Sequence, residues 1–353
     1  MRNKTVDIAR GIGILLVVFG HSWIVLHEKG ELFRVIFSFH MPLFFLLSGI
    51  FLKETEALPS LLKSKANSLL KPYFVVLGGL GIAHILGGDG SLLYFIGLIY
   101  STGSTIEWVQ LWFLPHLFVV VVFSWLTVKA FSGKHLNKKI FALVPAVFLI
   151  LGAFAIQMFW LKPMSEFGGP SFLFGKKALL PGLPFSVDLI LISSAYFLAG
   201  YMMSRYIQSI TFSPLLLLCA GSIFFGLHYF FDETIDLNRR IYGDILISSM
   251  QAFSGIYIVL SVSSVLSFSS SLATLFGHIG SGSIFILIFH WFFMDNARLF
   301  FDANTSMDPY VIGTFGFLLA VVAPLILLEV TRRQRLLSVL LLPGKSSISS
   351  PSP

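Results

Sequence analysis

Long apolar runs alternate with short polar breaks along the whole chain. Runs near Pro72–Leu86, Val109–Val128, Ile140–Trp160, Ser186–Met203, Pro214–Phe231, Ile245–Leu266, Ile279–Met294 and Tyr310–Val330 approach or reach the roughly 17–25 residues a helix needs to cross a bilayer. Upstream, Asp7 to Ile50 reads as two further apolar helices joined by a short polar turn around His27, Glu28, Lys29 and Glu31. The pattern predicts an all-α polytopic membrane protein of about ten transmembrane helices. Leu92–Tyr100 is a re-entrant or eleventh segment. An even count places both termini on one side. Residues 1–335 form one transmembrane domain and 336–353 a tail, whose end, Ser346–Pro353, is too polar and too rich in Ser and Pro to fold alone.

Composition supports this reading. Of 353 residues, 56% are hydrophobic and 12% charged, with mean hydropathy +0.87, more apolar sequence than a soluble domain needs. A net charge of +7 would suit a nucleic-acid partner in a soluble protein. Here the basic residues sit in short segments beside spans, notably Lys53, Lys63, Lys65 and Lys71, then Lys129 to Lys139, then Arg332 to Arg335. That asymmetry predicts cytoplasmic termini, contact with membrane lipids and no nucleic-acid partner. The loop Lys162–Leu183, rich in Gly and Pro, is expected outside. The single cysteine, Cys219, excludes an internal disulfide and a Cys-rich metal site, and no metal is expected. The start, MRNKTVDIAR, has a basic end but no small-residue cleavage pattern after it, so it is expected to remain as the first span.

Two spans carry ionisable residues where a span normally has none: Arg10 and His21 on the first, His40 on the second. An arginine at a helix centre costs about 2.5–3.5 kcal/mol on insertion scales, so such residues are functional candidates by default. Arg10 and His21 are eleven residues apart. On a helix that places them within about 20° of one face and about 16 Å apart along the axis. A returning second helix brings His40 to a depth similar to His21, leaving Arg10 near the other face. Taken singly, Arg10 would snorkel to the headgroups and each histidine would serve as a helix–helix hydrogen-bond partner. Arg10 and His21 together on one face favour function.

The segment Asp7-Ile8-Ala9-Arg10-Gly11-Ile12-Gly13, continuing to Gly20-His21, resembles the N-terminal signature of the acyltransferase family 3 membrane O-acyltransferases. In that family an arginine and a histidine at this separation are essential. Phe39-His40-Met41-Pro42-Leu43-Phe44-Phe45-Leu46-Leu47-Ser48-Gly49 resembles its second-helix motif, and Leu111-Trp112-Phe113-Leu114-Pro115 a further signature. Gly280-Ser281-Gly282-Ser283-Ile284-Phe285, ending in Phe289-His290, resembles its late motif, a serine leading a span and a histidine following. Ile235–Gly243 with Ala252-Phe253-Ser254-Gly255 is loosely similar to the fucose 4-O-acetylase branch, and the sugar is not carried over. Where the family usually has an arginine pair, this chain has Lys63, Lys65 and Lys71. Lysine keeps the charge but loses the bidentate geometry.

The resemblance implies an O-acetyltransferase of the bacterial inner membrane. Its acyl donor would be cytoplasmic acetyl-CoA, and its acceptor a hydroxyl of a cell-surface glycan or its lipid-linked precursor. Arg10, with Lys65 and Lys71, would bind the donor phosphates. His21 would act as general base or carry the acyl group, and the base role is favoured because nothing in one sequence shows a covalent intermediate. His40 and Asp188 would orient it, His290 would add a third imidazole, and Trp112, Arg239 and Arg240 would bind the acceptor. Bland readings stand beside these: positive-inside topology for the lysines, an interfacial aromatic for Trp112, a structural histidine rather than a relay for His116, and a plain ion pair for Asp188. The main alternative is a transporter or flippase of an amphiphilic glycan or small acid. Against it, no inverted repeat is visible. A non-catalytic sensor or scaffold would leave the Arg10/His21 pair unexplained.

Overall fold

The computed structural model describes residues 3–28, 30–131, 138–159 and 182–344. The expected outer loop Lys162–Leu183 lies outside these residues except at its last two positions, and so does the tail Ser346–Pro353. Backbone polar groups in a bilayer must be satisfied within the chain, and the apolar runs accordingly fold as helices. The first, α1 (Lys4–Gly20), starts at Asn3, whose side chain accepts the Val6 N–H. Then follow α2 (Trp23–Glu28), α3 (Glu31–Phe37) and α4 (His40–Gly49). Pro42 lacks the N–H that would bond the Ser38 carbonyl, so α3 stops and a new helix opens at His40.

Next come α5 (Leu58–Lys65), a π-helical turn over Ala66–Leu70, α6 (Lys71–Gly87), α7 (Leu92–Tyr100), α8 (Phe113–Phe131), α9 (Lys138–Phe159), α10 (Ile190–Met202), α11 (Ser204–Gln208) and α12 (Pro214–Phe230). A short hairpin with strands of two residues each, β1 (Ile235–Asp236) and β2 (Ile241–Tyr242), pairs antiparallel with Ile235 opposite Tyr242. The chain continues through α13 (Ile245–Leu266), α14 (Ser270–Ser281), α15 (Ser283–Asn304), α16 (Pro309–Arg333) and α17 (Arg335–Leu341). Among the described residues eight stretches are long and apolar enough to cross a membrane, α3–α4 and α5–α6 each counting as one. The helices α1 and α12, 17 residues each, are about 26 Å long, near the hydrocarbon thickness of about 30 Å. The protein is a polytopic helical membrane protein, consistent with about ten crossings.

Two features depart from simple crossings. The nine-residue α7 is about 14 Å long, too short to span. After it the chain turns at Ser101 (φ 62°) and runs inward, with Thr102 and Thr105 buried and Thr105 Oγ1 donating to the Gly97 carbonyl at 3.0 Å. Irregular backbone is tolerated at such depth when protein surrounds it. The segment therefore folds back instead of crossing. The expected span Ile279–Met294 is displaced: Gly282 separates α14 from α15, and α15 continues ten residues past Met294, to Asn304.

Long-range hydrogen bonds define two opposite faces. On one, Asn3 Nδ2 donates to Gln208 O, Tyr201 to Glu54, and Lys71 Nζ to Val339 O and Leu342 O. On the other, Arg34 reaches the His228 and Phe231 carbonyls and pairs with Asp232. Helix α1 lies centrally, against α4, α13, α14 and α15. It approaches α14 through glycine: an added Cβ on Gly11 would overlap the Phe276 carbonyl, and one on Gly280 that of Asp7. Small residues of this kind let helix backbones meet in a membrane.

Candidate active site

Helix α1 ends at His21, which occupies the C-cap (φ −92°, ψ −3°) and still bonds its N–H to the Val17 carbonyl. The break sets the imidazole at the end of the span, where three rings from two other elements, α3 and α15, surround it. The His290 ring of α15 stacks on it at 5.4 Å between centroids and 29°. Phe37 and Trp291 meet it edge-on, each at 6.2 Å. Phe37 also lies 4.6 Å from the His40 ring, so one phenyl group bridges the two histidines of the first helical hairpin. His21, His40 and His290 thus gather in one place.

Their hydrogen bonds assign the tautomers. His40 Nδ1 lies 2.9 Å from the Ile36 carbonyl, and His290 Nδ1 2.9 Å from those of Ile286 and Leu287. A carbonyl only accepts, so Nδ1 carries the proton and Nε2 keeps its lone pair. The corresponding carbonyl for His21 is that of Val17, which interacts with the ring, although Nδ1 falls outside hydrogen-bond geometry. His290 Nε2 is buried with no hydrogen-bond partner among the described residues.

A cavity of about 680 Å³ opens onto two of these histidines, with His290 outside its lining. His21, His40 and Trp112 line it. Towards the start of α1 it is lined by Arg10 and Lys65, and on the opposite side by Glu107, Asp236, Asn238 and Arg239. The Arg10 guanidinium lies 4.7 Å from the Phe51 ring centroid and 4.0 Å from the Asp7 carboxylate. Arg10 and Lys65 are close enough to interact as like charges. Two cations at one end of the cavity form a natural seat for an anion. At the other end the hairpin presents Asp236 and Arg239, paired at 3.5 Å. Burial pushes the Asp236 carboxyl above its ordinary range, against the opposing pull of Arg239.

Other expected site residues lie elsewhere. Asp188 sits in a 3₁₀ turn over Pro184–Leu189 ahead of α10, and its partner is Arg240, with no imidazole bonded to it among the described residues. The Arg240 Nε to Asp188 distance is 2.9 Å, and each side chain is 1% exposed. Arg240 also donates to the Ser186 hydroxyl and the Asn238 carbonyl. Both residues support the hairpin from behind, outside the cavity lining, because a buried guanidinium needs its partners close by. Lys71 is drawn to the α17 carbonyls and stands outside the cavity lining as well. His116 is used at both nitrogens, by Phe185 O at 3.1 Å and Ser193 Oγ at 2.8 Å, and stacks on Trp112 at 5.4 Å. It is a structural histidine that backs the cavity wall.

Sequence reasoning did not single out Trp291, Asp236, Asn238 or Gln110, which also line the cavity. Trp291 had a signal, its place directly after His290. Asp236 and Asn238 fall in the run Ile235–Gly243, whose family likeness did not set them apart from the neighbouring arginines. The stretch from residue 3 to residue 329 matches the family model described as an acyltransferase domain. Comparison with curated proteins and with solved structures gives no match. With nearly the whole chain covered by that match, and a membrane-embedded cavity joining Arg10 to His21, the chain belongs to acyltransferase family 3, a family of integral-membrane acyltransferases.

Proposed function

We propose that this protein is an O-acetyltransferase of the bacterial inner membrane with cytoplasmic termini. It takes acetyl-CoA from the cytoplasm and acylates a hydroxyl of a cell-surface glycan or its lipid-linked precursor. The observation that carries the reading is the cavity that joins two cations, Arg10 and Lys65, to the half-buried imidazole of His21. Arg10 and Lys65 bind the donor phosphates by charge-assisted hydrogen bonds. His21 accepts the proton of the acceptor hydroxyl as that oxygen forms the new ester bond, then returns it to the sulfur as the thioester bond breaks. His290 holds His21 in place by stacking on it, and His40 does so through Phe37. Trp112 forms an apolar wall, and Arg239 supplies a cation at the far end.

The test is coenzyme A binding by purified protein. Arg10→Ala is expected to weaken it roughly 10- to 100-fold, the worth of a hydrogen bond to a charged group. Arg10→Lys is expected to restore it only in part, because lysine lacks the planar fork that matches phosphate. Equal affinity of wild type and Arg10→Ala would remove Arg10 from the donor site.

A further inference from the structure

A second cavity of about 250 Å³ also reaches His21. It lies among α2, α15 and α16, and shares His21, Leu26 and Trp291 with the larger one, so these three residues form the partition between them. Its remaining polar lining comes from α15. Asp295, Arg298 and Asp302 fall at i, i+3 and i+7 and so on one helix face. Arg298 Nε bonds Asp302 at 3.3 Å, and its guanidinium lies 5.8 Å from the Trp23 ring centroid. Across the cleft, α16 contributes Gly313 and Gly316.

The two cavities differ in charge. The larger has Arg10 and Lys65 at its donor end; the smaller sets two carboxylates against one guanidinium. A net negative lining repels a nucleotide-like phosphate ester and accepts a neutral polyol. Indole faces of Trp23 and Trp291 suit the C–H face of a sugar ring, and the carboxylates and guanidinium suit its hydroxyls. A catalyst that joins two substrates needs two approaches to one base.

We propose that the cavity lined by Trp23, Asp295, Arg298 and Asp302 is the acceptor site, taking one sugar unit of a glycan with its reactive hydroxyl at His21. This deepens the acyl-transfer reading and rests on it. The acceptor end is thereby separated from the hairpin end of the larger cavity, where Arg239 lies.

The experiment measures transfer of labelled acetyl from acetyl-CoA to surface polysaccharide prepared from cells lacking the gene. The proteins compared are wild type, Asp295→Asn, Gly316→Ala and Arg239→Ala. A Cβ on Gly316 meets Met294 at an ordinary 3.5 Å, so the alanine is accommodated and narrows the cleft. Asp295 is exposed, so the asparagine does not disturb packing. Both variants are expected to raise the KM for polysaccharide roughly tenfold or more, with the KM for acetyl-CoA unchanged. Unchanged polysaccharide KM in both, with an increase in Arg239→Ala alone, would move the acceptor to the hairpin end and overturn this proposal while leaving acyl transfer intact. No transfer by folded wild type would overturn the acyl-transfer reading itself, and this proposal with it.

Discussion

Asp188 and Arg240 show how far single residues can be read before their neighbours are known. Asp188 is an ionisable group near the end of an apolar run, which marks a candidate site, and Arg240 lies in the polar segment between two such runs. In the fold they neutralise one another at 2.9 Å, both almost wholly buried, and Arg240 holds a left-handed backbone conformation (φ 57°) beside Asn238 and Arg239, which do line the cavity. Their role is to position the hairpin. Removing one partner of such a pair leaves a buried charge and costs about 3–5 kcal/mol, whereas replacing both with apolar residues is often neutral or stabilising. Asp188→Leu is therefore expected to lower the temperature of half-inactivation in detergent sharply. Asp188→Leu combined with Arg240→Met is expected to recover much of that loss. Equal damage from the single and double changes would show that the pair does more than neutralise itself. Arg10, His21 and Trp112 were legible because their spacing or their motif places them on one space. The Asp188–Arg240 pairing was not, because 52 residues of chain, with α10 to α12 between, separate its members.

At the scale of elements, hydropathy locates nearly every crossing, because a bilayer leaves an apolar run little choice but helix. What it misses are the interruptions. The break at His21, the fresh start at His40 and the separation of α14 from α15 at Gly282 all fall within apolar sequence, where average hydropathy is insensitive. Pro42 was a local signal for one of them. The crossing of α4 and α10 was carried by glycine: an added Cβ on Gly49 would overlap the Phe197 carbonyl, and one on Gly200 the Leu46 carbonyl. Gly200→Ala is expected to push α4, and His40 with it, away from its place. Overpacking of this kind costs about 1–3 kcal/mol, read as reduced monodisperse yield and a lower inactivation temperature. Gly221→Ala, with nothing within 4 Å, is expected to be neutral or mildly stabilising through helix propensity. Equal behaviour of the two would contradict the close crossing.

The whole molecule is organised around α1, whose two functional ends belong to opposite faces. Asn3, Glu54, Lys71 and Gln208 are bonded on one face; Arg34, His228 and Asp232 on the other. Arg10 and His21 divide the helix between them, and one cavity follows it from the first to the second. That layout lets a phosphate-bearing donor be held at one end while its acyl group meets a hydroxyl at the other. His21 is assigned as the base at that meeting point, and the rate of acetyl transfer per folded molecule in His21→Ala tests this. Transfer is expected to fall about 10²- to 10⁴-fold, the usual worth of a general base, with monodisperse yield and coenzyme A affinity unchanged. A normal rate per folded molecule would contradict the assignment, reduce His21 to a helix-end packing residue, and move the chemistry to His40 or His290.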